Sequence, residues 1–184
     1  MGSSSSPLAL VVIAGPQASG KSAVATALSE KLREQGELVA LVELDQIAAM
    51  ALPTLPNWTS AHRIFESVTG QWARSELTCV VAEGSGSHQE VSRLIQQAPP
   101  TAVVVTVVTS APFEVALARA QADPTRGVSR ERSFLSRVYD RWSTEAALID
   151  SDVLLDTNDL DIAQSVERIE AAISSARGAH TLSR

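Results

Sequence analysis

"GPQASGKS", Gly15 to Ser22, follows the almost wholly apolar run "LALVVIA" and opens a stretch with helical spacing. A buried strand that leaves through a loop with two glycines, then sets a lysine and a serine at the head of a helix, is arranged to wrap a polyphosphate. The loop's backbone N–H groups must point inward, and glycine permits that. The helix starting near Gly20 adds the positive end of its dipole. Gly15-x-x-x-x-Gly20-Lys21-Ser22 has all four fixed positions of the Walker A pattern, in a strand–loop–helix context. On this reading Gly15, Pro16, Gln17, Ala18, Ser19, Gly20, Lys21, Ser22 and Ala23 form the phosphate site. Lys21 reaches the β- and γ-phosphates, and the Ser22 hydroxyl ligates Mg²⁺.

The rest of the composition narrows the class. The 184 residues are 45% hydrophobic, enough for one domain with a substantial core. A formal net charge of -6 argues against nucleic acid as a partner. Cys79 is the only cysteine, so no intramolecular disulfide forms, which fits a reducing cytoplasm. Its place in "TCVVAE" reads as a buried strand thiol. No run reaches the roughly 20 apolar residues of a membrane helix, and "PLALVVIAG" lacks the basic flank of a signal peptide. The expectation is a cytoplasmic protein without a membrane partner.

Five continuous apolar runs predict buried parallel strands: Leu8–Ala14, Leu38–Leu44, Cys79–Glu83, Ala102–Thr109 and Asp152–Thr157. Helical stripes lie between them. Ser22–Glu34 carries Val24, Leu28 and Leu32; Pro112–Gln121 carries Phe113, Ala116, Leu117 and Ala120; Leu160–Ser175 carries Ile162, Val166, Ile169 and Ile173. The alternation predicts an α/β fold of βαβ units. The domain spans 8–176, with short tails at 1–7 and 177–184.

Two connections are long, and long connections in compact domains are often functional. Residues 46–77 gather Trp58, Phe65 and Trp72 in a chain with only 4% aromatics, which suggests a wall for a partly apolar ligand. Residues 119–141 hold Arg119, Arg126, Arg130, Arg132, Arg137 and Arg141, six of the fifteen basic residues. His62 and His88 read as partners in local hydrogen bonds rather than as ligands.

The absence of an N-K-x-D sequence argues against a GTPase. The chain resembles the P-loop kinases of small metabolites: shikimate, gluconate and adenylylsulfate kinases, and most of all chloramphenicol phosphotransferase-like proteins. The resemblance rests on "GPQASGKS", on the aspartate of "VELDQIAAM", on "ARAQADPTR" and on "DVLLDT". It implies a three-layer fold, a five-stranded parallel sheet of order 2-3-1-4-5 with a mobile lid, here 122–137, and an acceptor region at 46–77. Chemistry would sit at the carboxyl ends of the strands.

The resemblance also implies roles. Asp45 stands where the phosphotransferase has its catalytic base, while a helix cap at Gln46 is its structural alternative and Glu43 its neighbouring one. Glu83, ending the third strand, holds Mg²⁺ or contacts substrate. Arg119 stacks on adenine, Arg126 begins the lid, and Arg130 is a second candidate for the γ-phosphate. The backbone of "LDTNDL" lies beside adenine. The chain departs from shikimate kinase in having only Gly84 and Gly86 for a triple glycine. It lacks the "DGD" of gluconate and adenylylsulfate kinases. The expected activity is ATP- and Mg²⁺-dependent transfer to a hydroxyl of a small molecule, an antibiotic or similar secondary metabolite, by a monomer or homodimer. The alternatives are a primary-metabolite kinase acting on a sugar acid, nucleoside or shikimate-like diol, and a non-catalytic nucleotide-dependent switch.

Overall fold

The computed structural model describes residues 6–182. The N-terminal tail expected at 1–7 lies, as far as residue 5, outside the described residues. Five strands form one parallel sheet: β1 Ala9–Ala14, β2 Val39–Glu43, β3 Cys79–Glu83, β4 Val103–Ser110 and β5 Val153–Asp156. Their order is β2-β3-β1-β4-β5, as the resemblance implied. Every residue of β1 is buried, because this central strand is covered on both faces.

The pleat divides the core. Ala9, Val11 and Ile13 point to one face, where α1 (Lys21–Glu34) and α7 (Ile162–Leu182) bring Val24, Leu28, Leu32, Val166, Ile169 and Ile173. Leu10, Val12 and Ala14 point to the other face. There α2 (Leu44–Ala49), α3 (Thr59–Ala73) and α4 (His88–Ile95) supply Ala48, Ala61, Phe65, Val91 and Leu94. A third cluster joins α5 (Phe113–Ala122) to α6 (Arg132–Ala146) through Ala116, Leu117, Ala120 and Leu135, with Ala18 of the glycine loop packed into it.

The long connections are mostly helical. Residues 46–77 hold the rest of α2 and all of α3, and α4 is a helix the spacing did not predict. Between α5 and α6 lies a short 3-10 segment, Pro124–Arg130, broken at Gly127 with φ 53°. The C-terminal helix runs on to Leu182 and does not yield to a tail at 177. Arg177 fastens it, gripping Glu37 with both nitrogens (2.6 and 3.1 Å) and donating to the Pro7 and Thr78 carbonyls. Among the described residues no helix is long and apolar enough to cross a membrane.

Candidate active site

The loop after β1 owes its shape to two left-handed residues, Ala18 (φ 62°) and Gly20 (φ 91°). Left-handed residues two apart turn successive amides toward one side, the geometry of an anion nest. Gly20 is also the N-cap of α1, so the helix dipole points into the same space. Gly15 answers a different need. A methyl there would stand 2.1 Å from Thr109 Oγ1, so the glycine lets the loop lie directly on β4. Ser19 is fully buried and its hydroxyl shares a 2.7 Å hydrogen bond with that of Thr109. Thr157 Oγ1 donates to the Ser19 carbonyl at 2.8 Å. Neighbouring strands thus clamp the loop.

Lys21 is buried at the mouth of α1, where Nζ donates to the Pro16 carbonyl (3.0 Å) and stands 3.7 Å from Glu83 Oε1. Burial lowers the lysine below its usual range, opposed by the charges of Glu83 and Asp45. Burial likewise drives Glu83 from 4.5 up to about 7, partly offset by Lys21. Glu43 is the register partner of Glu83 on β2, and its carboxyl is also raised, by burial first and then by Asp45. Ser22 is exposed in the first turn of α1.

Asp45 is exposed in the first turn of α2, close enough for its charge to act on Lys21, Glu43 and Glu83. It does not cap a helix beginning at Gln46. The helix begins at Leu44, with Glu43 at the N-cap and no side-chain cap bond. The carboxylate therefore remains available to a ligand.

A cavity of about 580 Å³ opens beside the loop, between α1, α5 and the start of α7. Ala18, Gly20, Ala23, Val24, Thr157, Leu160 and Ile162 line it together with Arg119 and Arg126. Its size and mixed lining suit a nucleoside. Arg119 is fixed by two hydrogen bonds to Thr157, at 2.8 Å to Oγ1 and 2.7 Å to the carbonyl. Arg126 pairs with Asp123 at 3.2 Å while facing the cavity. Gln17 Oε1 accepts from the Ser129 hydroxyl at 2.5 Å, which ties the 3-10 segment to the glycine loop. Arg130 turns away, donating to the Gln121 carbonyl. Arg132 is spent on Glu114 and the face of Phe113.

The expected aromatic wall does not assemble. Phe65 is fully buried against Gly84 and Glu90, leaving no surface for a ligand. Trp72 lies 14 residues beyond Trp58 on the same helix, roughly 21 Å away at 1.5 Å per residue. It sits in the last turn of α3 with Gly70, where a β-carbon would meet Gln97 past the end of α4. Only Trp58 stays at the right end, with its ring 6.5 Å from that of His62.

Other residues of the site were not singled out from sequence. Glu90 is almost wholly buried, and its Oε1 accepts from the Ser85 (2.7 Å) and Gly86 (3.2 Å) amides. The signal for it was present. Ser87-His88-Gln89-Glu90 is a capping-box spacing, and the Ser87 hydroxyl does cap the Glu90 amide. From α6, Trp142 covers Gly86 and Glu145 accepts from the His88 amide at 2.7 Å. No local pattern could have found those two.

This geometry defines a P-loop protein with a nucleoside-sized cavity and an acidic mouth. The family described as AAA domain matches residues 10–156, and the chain belongs to that family. Its fold is that of the P-loop small-molecule kinases. Shikimate kinase from Acinetobacter baumannii in complex with shikimate superposes with a TM-score of 0.66 at 19% identity, covering 92% of this chain and 95% of that one. A putative kinase from Chloroflexus aurantiacus j-10-fl gives 0.67 at 17%, covering 94% and 99%. A gluconokinase from Sinorhizobium meliloti 1021 gives 0.62 at 18%, covering 97% and 99%. At these identities the likeness is one of fold. No curated protein matches the chain.

Proposed function

We propose that this protein is an ATP- and Mg²⁺-dependent kinase that moves the γ-phosphate to a hydroxyl of a small molecule. The observation that carries the reading is the buried Lys21 at the head of α1, beside Glu83 and within the electrostatic reach of Asp45. The chain's residues fit the group they would hold. The nest of amides from Gly15 to Ser22 and the Lys21 ammonium suit a polyphosphate. The exposed Ser22 hydroxyl and the Glu83 carboxylate are hard oxygen donors that suit Mg²⁺. The 580 Å³ cavity beside Arg119 suits the nucleoside. Bound ATP·Mg²⁺ supplies the transferable phosphoryl group and the counter-charge it needs.

The protein then has three tasks. Lys21 and the amides hold the phosphates and neutralise charge. Arg126, facing the cavity, adds charge stabilisation from the 3-10 segment. Asp45 orients the acceptor hydroxyl and takes its proton. An antibiotic or related secondary metabolite remains the favoured acceptor class. Trp58 offers apolar surface, and residues 46–77 hold only two arginines, Arg63 and Arg74, the second held by the Gly70 carbonyl at the far end of α3. A sugar acid would want several convergent arginines. A coupled ADP-release screen over hydroxylated antibiotics, nucleosides, sugar acids and shikimate tests the reading. Turnover of gluconate or shikimate above every antibiotic would replace it with a primary-metabolite kinase.

A further inference from the structure

His62 and Glu90 form a pair that the roles above do not use. His62 is on the first turn of α3, Glu90 on the first turn of α4. Nδ1 of His62 lies 2.5 Å from Oε2 of Glu90, and neither atom has another polar partner. The approach is oblique for a hydrogen bond. At that separation, however, bare lone pairs would repel, so a proton has to lie between the two atoms. Glu90 is buried and its other oxygen accepts from the Ser85 and Gly86 amides, bonds that favour the ionised carboxyl as the acceptor of the pair. The proton therefore belongs to His62 Nδ1. In a neutral imidazole this leaves Nε2 with its lone pair. The ring is partly exposed while Nδ1 is buried, so Nε2 is the nitrogen that faces outward.

The position of the pair matters. The turn that Glu90 holds, Ser85–Gly86, presses on the start of the glycine loop, where a β-carbon on Gly86 would come within 2.7 Å of the Gly15 amide. Trp58, the aromatic ring that stays at this end of α3, neighbours His62. Hydrogen-bond acceptors at this end of the sheet thus include Glu43, Asp45 and His62 Nε2, with Arg63 beside His62 on the same helix.

We propose that His62 is an acceptor-recognition residue, presenting Nε2 to a second O–H or N–H of the small molecule, and that Glu90 is the positioning residue that fixes its tautomer. The inference rests on the kinase reading and refines its substrate class. The acceptor carries at least two hydrogen-bond donors, as a polyol or amino alcohol does, one for Asp45 and one for His62. A compound whose only other polar group is a carboxylate would set negative charge against Glu43 and a lone pair against Nε2.

The experiment uses the full chain in wild-type, His62→Ala, His62→Gln and Glu90→Gln forms. Imidazole nitrogen NMR near pH 8, where an ordinary histidine is neutral, is expected to show the Nδ1–H tautomer at His62 and its loss in Glu90→Gln. Isothermal titration with ATP·Mg²⁺ is expected to give wild-type affinity in both His62 variants. With the best compound from the ADP-release screen, His62→Ala should raise the acceptor KM by about 10-fold or more, the scale of one lost hydrogen bond to a buried site, with a smaller change in kcat. Glutamine, which can place an oxygen near the same point, should restore part of it. An Nε2–H tautomer in the wild type would overturn the proposal. So would an unchanged KM in His62→Ala, the fold of the variant being checked by its far-ultraviolet dichroism spectrum. Failure of the kinase reading looks different: wild type itself then binds no ATP·Mg²⁺ or turns over no compound, whatever the state of His62.

Discussion

Lys21 Nζ and Glu83 Oε1 stand 3.7 Å apart, both buried, one at the head of α1 and the other at the end of β3. Burial opposes charge on each, and each offsets part of the other's cost. The protein holds a lysine and a carboxylate out of water at the head of the glycine loop's helix, where the proposed ATP·Mg²⁺ would sit.

Removing the lysine tests the phosphate site. Lys21→Ala should abolish detectable ATP·Mg²⁺ binding by isothermal titration, with a far-ultraviolet dichroism spectrum like that of wild type. The amide nest alone lacks the charge that holds the β- and γ-phosphates. Unchanged affinity with unchanged turnover would remove the P-loop assignment.

The carboxylate gives a pH signature. Glu83 titrates at about 7 in the folded protein against 4.5 as a free side chain. Between those values the native state keeps a proton that the unfolded chain releases. Its stability contribution is therefore full below about pH 4.5 and is lost as pH rises through 7, amounting to on the order of 3 kcal/mol. In chelator, thermal melts of wild type should decline across this window more steeply than those of Glu83→Gln. Parallel curves would show that Glu83 is ordinary.

Asp45 is the proposed base. Asp45→Asn should leave the acceptor KM nearly level while kcat falls by about 10²–10⁴-fold, the usual span for a positioned general base. An asparagine enzyme as fast as wild type would refute the role and leave the nucleotide site standing.

The two arginines of the 3-10 segment should separate. Arg126 faces the cavity, whereas Arg130 is turned to the Gln121 carbonyl. Arg126→Ala should lower kcat by about 10²-fold, as loss of one strong electrostatic donor does, and Arg130→Ala by only a few-fold. Equal losses would mean that Arg130 swings into the site during turnover.

Gly86 has φ 89°, and its missing side chain lets Gly15 approach. Gly86→Ala should lower the melting temperature by about 5 °C or more, from backbone strain and the displaced loop. It should weaken ATP·Mg²⁺ binding with it. A melt and an affinity like wild type would show that the turn yields freely.

The sequence alone determined the sheet and the nucleotide loop. Continuous apolar runs mark strands covered on both faces, so all five appear within a residue or so of their predicted ends. The Walker A spacing is local, because amides, lysine and serine must follow one another along eight residues. Asp45, Arg119 and Arg126 are candidates offered by the family resemblance, and the structure sets Arg119 and Arg126 on the wall of the cavity. What needed the tertiary structure was every contact between distant segments. Three aromatics close in sequence part company because one helix holds Trp58 and Trp72 at its opposite ends and points Phe65 into the core. His62 meets Glu90 because α3 and α4 pack side by side, and Trp142 reaches Gly86 because α6 folds back across the loop. Helical rise and packing decide such meetings, and neither is written in any single window of sequence.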